Sequence, residues 1–256
     1  MSSFKEKIAI VTGASSGIGR ATAVALAQAG ASVAVVARDA AALESVLADC
    51  AGGTGHAIAI AADLTDAGAP DAIVKDAVAR FGALDVLVNA AGIIAMGATD
   101  ATDDALWDRV MAINVRAPFR MMRTAFPYLK ERRGNVVNVS SVNGRRVFPN
   151  LAVYNTSKAA LDQLTRTAAI DWAPHGVRVN AVNPGVTVTN LHRRSGMSED
   201  AYAAFLVRSK ETHPLGRPGQ AAEIASLILF LASEQAGWVT GETIAIDGGR
   251  HLTCAR

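Results

Sequence analysis

A tyrosine and a lysine four residues apart, Tyr154 and Lys158, stand in a stretch of helical periodicity running from about residue 151 to 172. Four residues along a helix bring two side chains to nearly the same face, one turn apart. A phenol titrates near 10, too high for easy proton exchange at neutral pH. An ammonium about 4 Å away at an effective dielectric of 20 favours the phenolate by roughly 4 kcal/mol, or about three pKa units before desolvation opposes it. Spacing alone favours a solvated surface pair. Position argues for chemistry, because Ser140 and Ser141 at a strand end and a glycine-rich turn belong to the same edge of the fold.

That turn lies in Thr12-Gly13-Ala14-Ser15-Ser16-Gly17-Ile18-Gly19, after the apolar run 8–11 and before helical spacing that lasts until Gly30. A strand passing through glycines into a helix places unpaired N–H groups and the positive end of a helix dipole at one point, which suits a phosphate. The spacing is G-x-x-x-G-x-G, close to the general dinucleotide pattern. The same residues also spell G-x-S-x-G around Ser15, the nucleophile elbow of serine hydrolases. A hydrolase therefore stands as a rival reading.

The positioning elements follow in a regular alternation. Strands are expected at 32–37, 57–61, 85–88, 135–140, 177–182 and 242–246, separated by helices, which implies a parallel sheet covered on both faces. Asp39 follows the second strand and precedes an alanine-rich helix, so it reads as an N-cap. Arg38 beside it has the guanidinium that a 2′-phosphate needs, and the strand end, Ala37, lacks the acid that would take ribose hydroxyls. The reading favours NADP(H) over NAD(H). A long helix is expected over 103–130, disturbed by Pro118. Asn114 inside it must find a partner, because an unpaired buried amide costs on the order of 1 to 3 kcal/mol. It is either a kink stabiliser or a site residue. The long excursion at 186–214 has the place of a lid or substrate loop.

The 256 residues are 50% hydrophobic, enough for one large core, and are read as a single domain spanning 1–256. The net charge of +2 comes from interspersed charges without a basic block, which argues against nucleic acid as a partner. Cys50 and Cys254 make no C-x-x-C and no disulfide framework, and the start of the chain reads as an ordinary strand and not a leader. A soluble, cytoplasmic protein without a metal site or membrane span is expected.

Taken together, Thr12-Gly13-x-x-x-Gly17-x-Gly19, Asn89-Ala90-Ala91-Gly92, Asn114, Ser141, Tyr154-x-x-x-Lys158 and Asn183-Pro184-Gly185 resemble the short-chain dehydrogenase/reductase family, in the family's order and over essentially the whole chain. The resemblance implies an α/β fold: a Rossmann-like doubly wound domain with a seven-stranded parallel sheet. It implies a nicotinamide cofactor surrounded by Gly13, Ser15, Ser16, Gly17, Ile18 and Gly19, with Arg38, Asp63 and Leu64 toward the adenosine. Asn89, Ala90 and Gly92 would line the cleft, and Pro184, Gly185, Val186 and Thr189 would lie near the nicotinamide with Tyr154 and Lys158. Asn114, Ser141, Tyr154 and Lys158 would be catalytic, with Asn114 holding a water that relays protons to Lys158. The expected activity is hydride exchange between the cofactor and a small carbonyl or secondary alcohol, of the 3-oxoacyl-reductase or another ketone-reductase kind, in a homotetramer or dimer. One departure is Ser16, where many NADP-using relatives carry a basic residue. A cofactor-binding sensor or scaffold without turnover is the other rival. Arg145, Arg146, His192, Arg193 and Arg194 raise the further idea of an anionic substrate.

Overall fold

The computed structural model describes residues 4–53 and 55–253; Cys254 lies outside them. In chain order the elements are β1 (Ile8–Thr12), α1 (Gly17–Gln28), β2 (Ser32–Ala37), α2 (Ala40–Cys50), β3 (Ala57–Ala61), α3 (Ala69–Phe81), β4 (Val86–Asn89), α4 (Asp104–Met111), a π turn (Ala112–Arg116) and α5 (Ala117–Arg132). There follow β5 (Asn135–Val139), α6 (Ala152–Trp172), β6 (Arg178–Pro184), β7 (Thr187–Val188), α7 (Leu191–Arg194), α8 (Glu199–Thr212), β8 (Gly219–Gln220), α9 (Ala221–Ala232) and β9 (Thr243–Ile246). Seven strands form one sheet in the order β3-β2-β1-β4-β5-β6-β9, every pair parallel. This is the doubly wound, Rossmann-like α/β sheet the alternation implies.

Strands covered on both sides carry apolar residues at consecutive positions, and β1 shows why. Ala9 and Val11 face a layer built by α1, α2 and α9, where Leu26, Leu43, Val46, Ile224 and Ile228 are buried. Ile8 and Ile10 face the opposite layer of α3, α5 and α6, with Ile73, Val74, Met121, Leu129 and Ala168. Each fully buried Leu or Ile contributes about 1.5–3 kcal/mol over leaving it in water. The helices are cut to length by their caps. Asp39 accepts from Ala42 N (3.0 Å) at the start of α2, as its sequence context requires. Glu223 accepts from Gln220 N (2.8 Å) and forms a capping box at α9.

The expected single helix over 103–130 is corrected. It is two α-helices joined by the π turn, in which Ala117 N–H reaches back to Ala112 O. An α-helical ladder would ask residue 118 to donate to Asn114 O, and Pro118 has no N–H to give. The disturbance thus falls before Pro118, which itself sits in the first turn of α5, where a missing donor costs nothing.

Candidate active site

The carboxyl ends of β1, β4, β5 and β6 open on a cleft of about 390 Å³. Ligands of open α/β sheets bind at this edge. One wall is the β1–α1 turn. Gly13 holds φ +66°, and a Cβ there would lie 2.7 Å from Ala91 Cα, so only glycine lets this turn pass against the loop after β4. Thr12 ties the same two loops together: its Oγ1 accepts from Ala90 N (3.1 Å) and Ala91 N (3.3 Å). At the start of α1, Ser16 is extended and its side chain makes no capping bond, leaving first-turn N–H groups to a ligand. Gly13, Ser15, Ser16, Gly17, Ile18 and Gly19 all line the cleft. A cradle of backbone donors without side-chain caps fits the pyrophosphate of a dinucleotide.

The facing wall is made of buried side chains. Ser141, at the end of β5, caps the turn Val142–Gly144 by accepting from Asn143 N (3.2 Å). Asn183 Nδ2, at the end of β6, donates to Ser141 O (2.8 Å) and to Asp162 Oδ2 (2.9 Å), fixing the serine's backbone from below. Ser140, which also lines the cleft, donates its hydroxyl to Lys158 O (3.3 Å) and so helps to support α6. Tyr154 and Lys158 both line the cleft and are 6% and 4% exposed. Lys158 Nζ donates to Val139 O (3.0 Å) and stands 5.8 Å from the centre of the Tyr154 ring.

Here burial acts against the charged form of each partner. Burial pushes the Tyr154 phenol up from its ordinary value, and Ser141 pulls it only partly back. Burial also lowers Lys158 to about 8, against the opposing attraction of Asp162. Desolvation thus works against both charged forms, the opposing effect that any attraction between phenolate and ammonium has to overcome.

Asn114 answers both halves of the sequence alternative. It is fully buried in the π turn; its Oδ1 accepts from Ile93 N (2.9 Å), and its Nδ2 donates to Ile93 O (2.9 Å) and Ser157 Oγ (3.0 Å). The amide thereby clamps the strand of chain after Gly92 to α6, one residue before Lys158. A Cβ at Gly92 would touch Asn114 Oδ1 (3.4 Å) and Lys158 Nζ (3.5 Å).

Pro184, Gly185, Val186 and Thr189 line the third side. Sequence reasoning missed what supports them: His213, at the end of α8, is buried beneath Gly185. Val186 N donates to its Nε2 (3.1 Å), which fixes the proton on Nδ1, donating to Ser209 O (2.7 Å). Burial holds this imidazole below its ordinary pKa. No motif pointed to it, since its partners are backbone atoms. Segment 186–214 folds as α7, α8 and the first strand of the β7–β8 pair, and Leu191, His192, Arg194 and Phe205 contribute to the cleft.

The other expected residues divide between the cleft and its surroundings. Arg38 lines the cleft, 73% exposed in its side chain and 3.9 Å from Asp63. Asp63 and Leu64 lie outside the lining: Asp63 accepts from Thr65 N (2.9 Å), and Leu64 packs on the α3–α5 layer. Asn89 is buried under the cleft floor, where its Nδ2 donates to Asn138 Oδ1 (2.9 Å), while Ala90 and Gly92 line the cleft. Arg145 and Arg146 donate to Thr243 O and Arg250 O. Arg193 pairs with Glu199 (2.7 Å) and stacks on Tyr202. The histidines that a hydrolase would recruit are engaged with other groups: His175 against Phe126, His192 against Phe205, His213 as above, and His251 on Asp247 (2.9 Å).

A family model described as enoyl-(acyl carrier protein) reductase, of the short-chain dehydrogenase/reductase type, matches residues 13–251. The chain belongs to the short-chain dehydrogenase/reductase family. It is 38% identical over 250 residues to trans-4-hydroxycyclohexanecarboxylate dehydrogenase of Sinomonas cyclohexanicum, covering 95% of this chain and 92% of that one. It is 37% identical over 244 residues to a 3-oxoacyl-acyl-carrier-protein reductase of Thermotoga maritima, covering 95% and 97%. A crystal structure of a short-chain dehydrogenase/reductase from Caenorhabditis elegans with cofactor superposes with a TM-score of 0.91 at 35% identity, covering 98% and 97%. This short-chain dehydrogenase/reductase is accordingly an oxidoreductase of CH–OH and C=O groups, in a family that uses nicotinamide cofactors. Among its described residues no helix is long and apolar enough to cross a membrane.

Proposed function

We propose that the protein reduces a ketone, or oxidises the corresponding secondary alcohol, with NADP(H) in preference to NAD(H). The observation that carries this reading is a buried, neutral phenol at the cleft wall, with Ser141 beside it and the α1 phosphate cradle opposite. When bound, the nicotinamide supplies or accepts the hydride. Tyr154 holds the proton that the substrate oxygen takes up, and its raised pKa keeps that proton in place until a better base arrives. Ser141 orients the same oxygen. Lys158, fixed by Val139 O, presents a cation that strengthens as an oxyanion or phenolate develops. Asn114 keeps the loop at Ile93 and the α6 turn in register, and in this reading supports a proton relay toward Lys158. The main-chain turn at Pro184, Gly185, Val186 and Thr189 would hold the nicotinamide end, backed by His213.

The NADP(H) preference rests on Arg38, an exposed guanidinium at the mouth of the cleft with only a long contact to Asp63. Residues 1–256 act as one domain in this reading, with 186–214 as the lid. Trp107, Phe119 and Ile170, exposed on α4, α5 and α6, support a homo-oligomer, a tetramer or dimer, through those helices. The relatives' names supply two candidate substrate classes, 3-oxoacyl thioesters and hydroxycyclohexanecarboxylates.

The test is a panel of both classes and simple ketones, followed by absorbance of the reduced nicotinamide with NADPH and with NADH. Turnover favouring NADPH is expected, and Arg38→Ser should raise the KM for NADPH about tenfold or more while moving that for NADH far less. Absence of turnover across the panel with either cofactor would end the redox reading; equal shifts for both cofactors would end the role of Arg38.

A further inference from the structure

Among the described residues, the charged and imidazole side chains lining the cleft are Arg38, Lys158, His192, Arg194 and Arg250, with no aspartate or glutamate. Strand order separates these cations. Arg38 follows β2 at the phosphate-cradle side, Lys158 stands at the centre with β5, and Arg250 follows β9, two strands beyond β5. A dinucleotide that spans from the β1–α1 turn to Tyr154 therefore leaves Arg250 on the side where the substrate must enter.

Arg250 is built into place. Its Nη1 donates to Thr212 Oγ1 (2.7 Å), and its guanidinium lies over the Phe148 ring at 4.6 Å, with Phe148 also lining the cleft. The Arg146 guanidinium lies near the same ring and donates to Arg250 O (3.0 Å), adding a second positive charge behind the first. The neighbouring carboxylate is committed elsewhere: Asp247 accepts from Gly249 N (3.0 Å), His251 N (2.7 Å) and His251 Nδ1 (2.9 Å). Among the described residues no carboxylate comes within 4 Å of Arg250 or Arg194. A planar guanidinium stacked on one face, with one donor anchored and the others directed by that anchor, is matched in geometry by a carboxylate or another oxyanion.

We infer that Arg250, with Arg194 of the same cleft lining, forms an anion subsite, and that the substrate is a ketone or alcohol carrying a carboxylate-like group on the side remote from the nucleotide. The inference rests on the redox reading for the identity of the reacting group, but the subsite itself rests on the cation cluster. It also moves the basis of an anionic substrate: Arg145, Arg146 and Arg193, which the sequence offered, are held by protein groups, and Arg250, which it did not, faces the cavity.

The experiment compares 4-oxocyclohexanecarboxylate and 5-oxohexanoate with their primary amides, which keep shape and remove charge. Turnover is measured with NADPH and NADH for the wild type, Arg250→Gln, Arg250→Lys and Arg194→Gln, and binding of the same four probes is measured by calorimetry. The wild type should favour each carboxylate over its amide by about tenfold or more in kcat/KM, expressed in KM. Arg250→Gln should bring that ratio to near one, Arg250→Lys should restore part of it, and Arg194→Gln should lower it less. Amides turned over as well as carboxylates, or a ratio that survives Arg250→Gln, would overturn the subsite while leaving the redox reading intact. Carboxylates that bind with the same dependence on Arg250 but are not turned over would keep the subsite and leave the redox reading to the outcome of the wider panel. Neither binding nor turnover of any carboxylate would remove the subsite.

Discussion

The two long walls of the cleft are made of different materials. The β1–α1 wall is backbone: positive-φ glycines, an uncapped helix start, and the Thr12 hydroxyl stitching two loops. The β5–α6 wall is side chain: a phenol, an ammonium, a carboxylate and four amides, all buried, with the ammonium and the amides donating to neighbouring polar groups. A backbone wall tolerates a change of chemistry at its outer residues but not the addition of an atom at its glycines. A side-chain wall tolerates small changes of shape but not the loss of one polar atom, because each donor there satisfies another group.

This difference can be broken at three points. The largest effect is expected from Tyr154→Phe, which removes one oxygen from the second wall: turnover should fall by about a thousandfold with little change in melting temperature or cofactor affinity. Near-wild-type rates in a steady-state assay would take Tyr154 out of proton transfer. Next is Gly13→Ala, which adds one carbon to the first wall. The positive φ and the contact with Ala91 should cost on the order of 1–3 kcal/mol in chemical denaturation and weaken cofactor binding about tenfold or more in fluorescence titration. A variant as stable and as tight as the wild type would show that this turn has room the geometry denies it.

The smallest effect is in pH. Lys158 titrates at about 8, below an ordinary lysine, because charging it costs desolvation. The protonated form is the one that stabilises negative charge on the phenol or substrate, so kcat/KM for ketone reduction should be flat below that value and decline above it. Tyr154, raised in the same surroundings, stays protonated throughout that window. A profile flat from pH 7 to 9.5 would detach Lys158 from catalysis.

The backbone wall was the more legible of the two. Glycine spacing after an apolar run reports a geometric need directly, and the strand positions followed because residues buried on both faces leave unbroken apolar runs. The Asp39 cap was legible for a similar reason, since its partner lies three residues away. The side-chain wall was legible only as a set of resembling positions. Asp162, Asn183 and His213 act through contacts 21 to 42 residues distant in sequence, and local periodicity carries no trace of them. Burial and partnering are what local sequence hides: the desolvation that opposes ionisation of the phenol, and the protein groups that hold Arg145, Arg146 and Arg193, appear only once the chain is folded. Arg250 was overlooked because it follows the last strand with no pattern around it.

The π turn at Ala112–Arg116 carries one further implication. Removing a single residue from it would bring α4 and α5 into one α-helical register, with Pro118 still withholding one backbone donor. Each residue step on a helix is about 100°, so the same deletion would swing either Asn114 or the whole of α5 around the axis. The amide could then no longer meet Ile93 and Ser157 while Met121 and Leu129 kept their places in the core. The irregular turn is thus the register key between the packing of the molecule and the alignment of its reactive groups, and a one-codon deletion there would spare the fold's hydrophobic stripe at the expense of its chemistry, or the reverse.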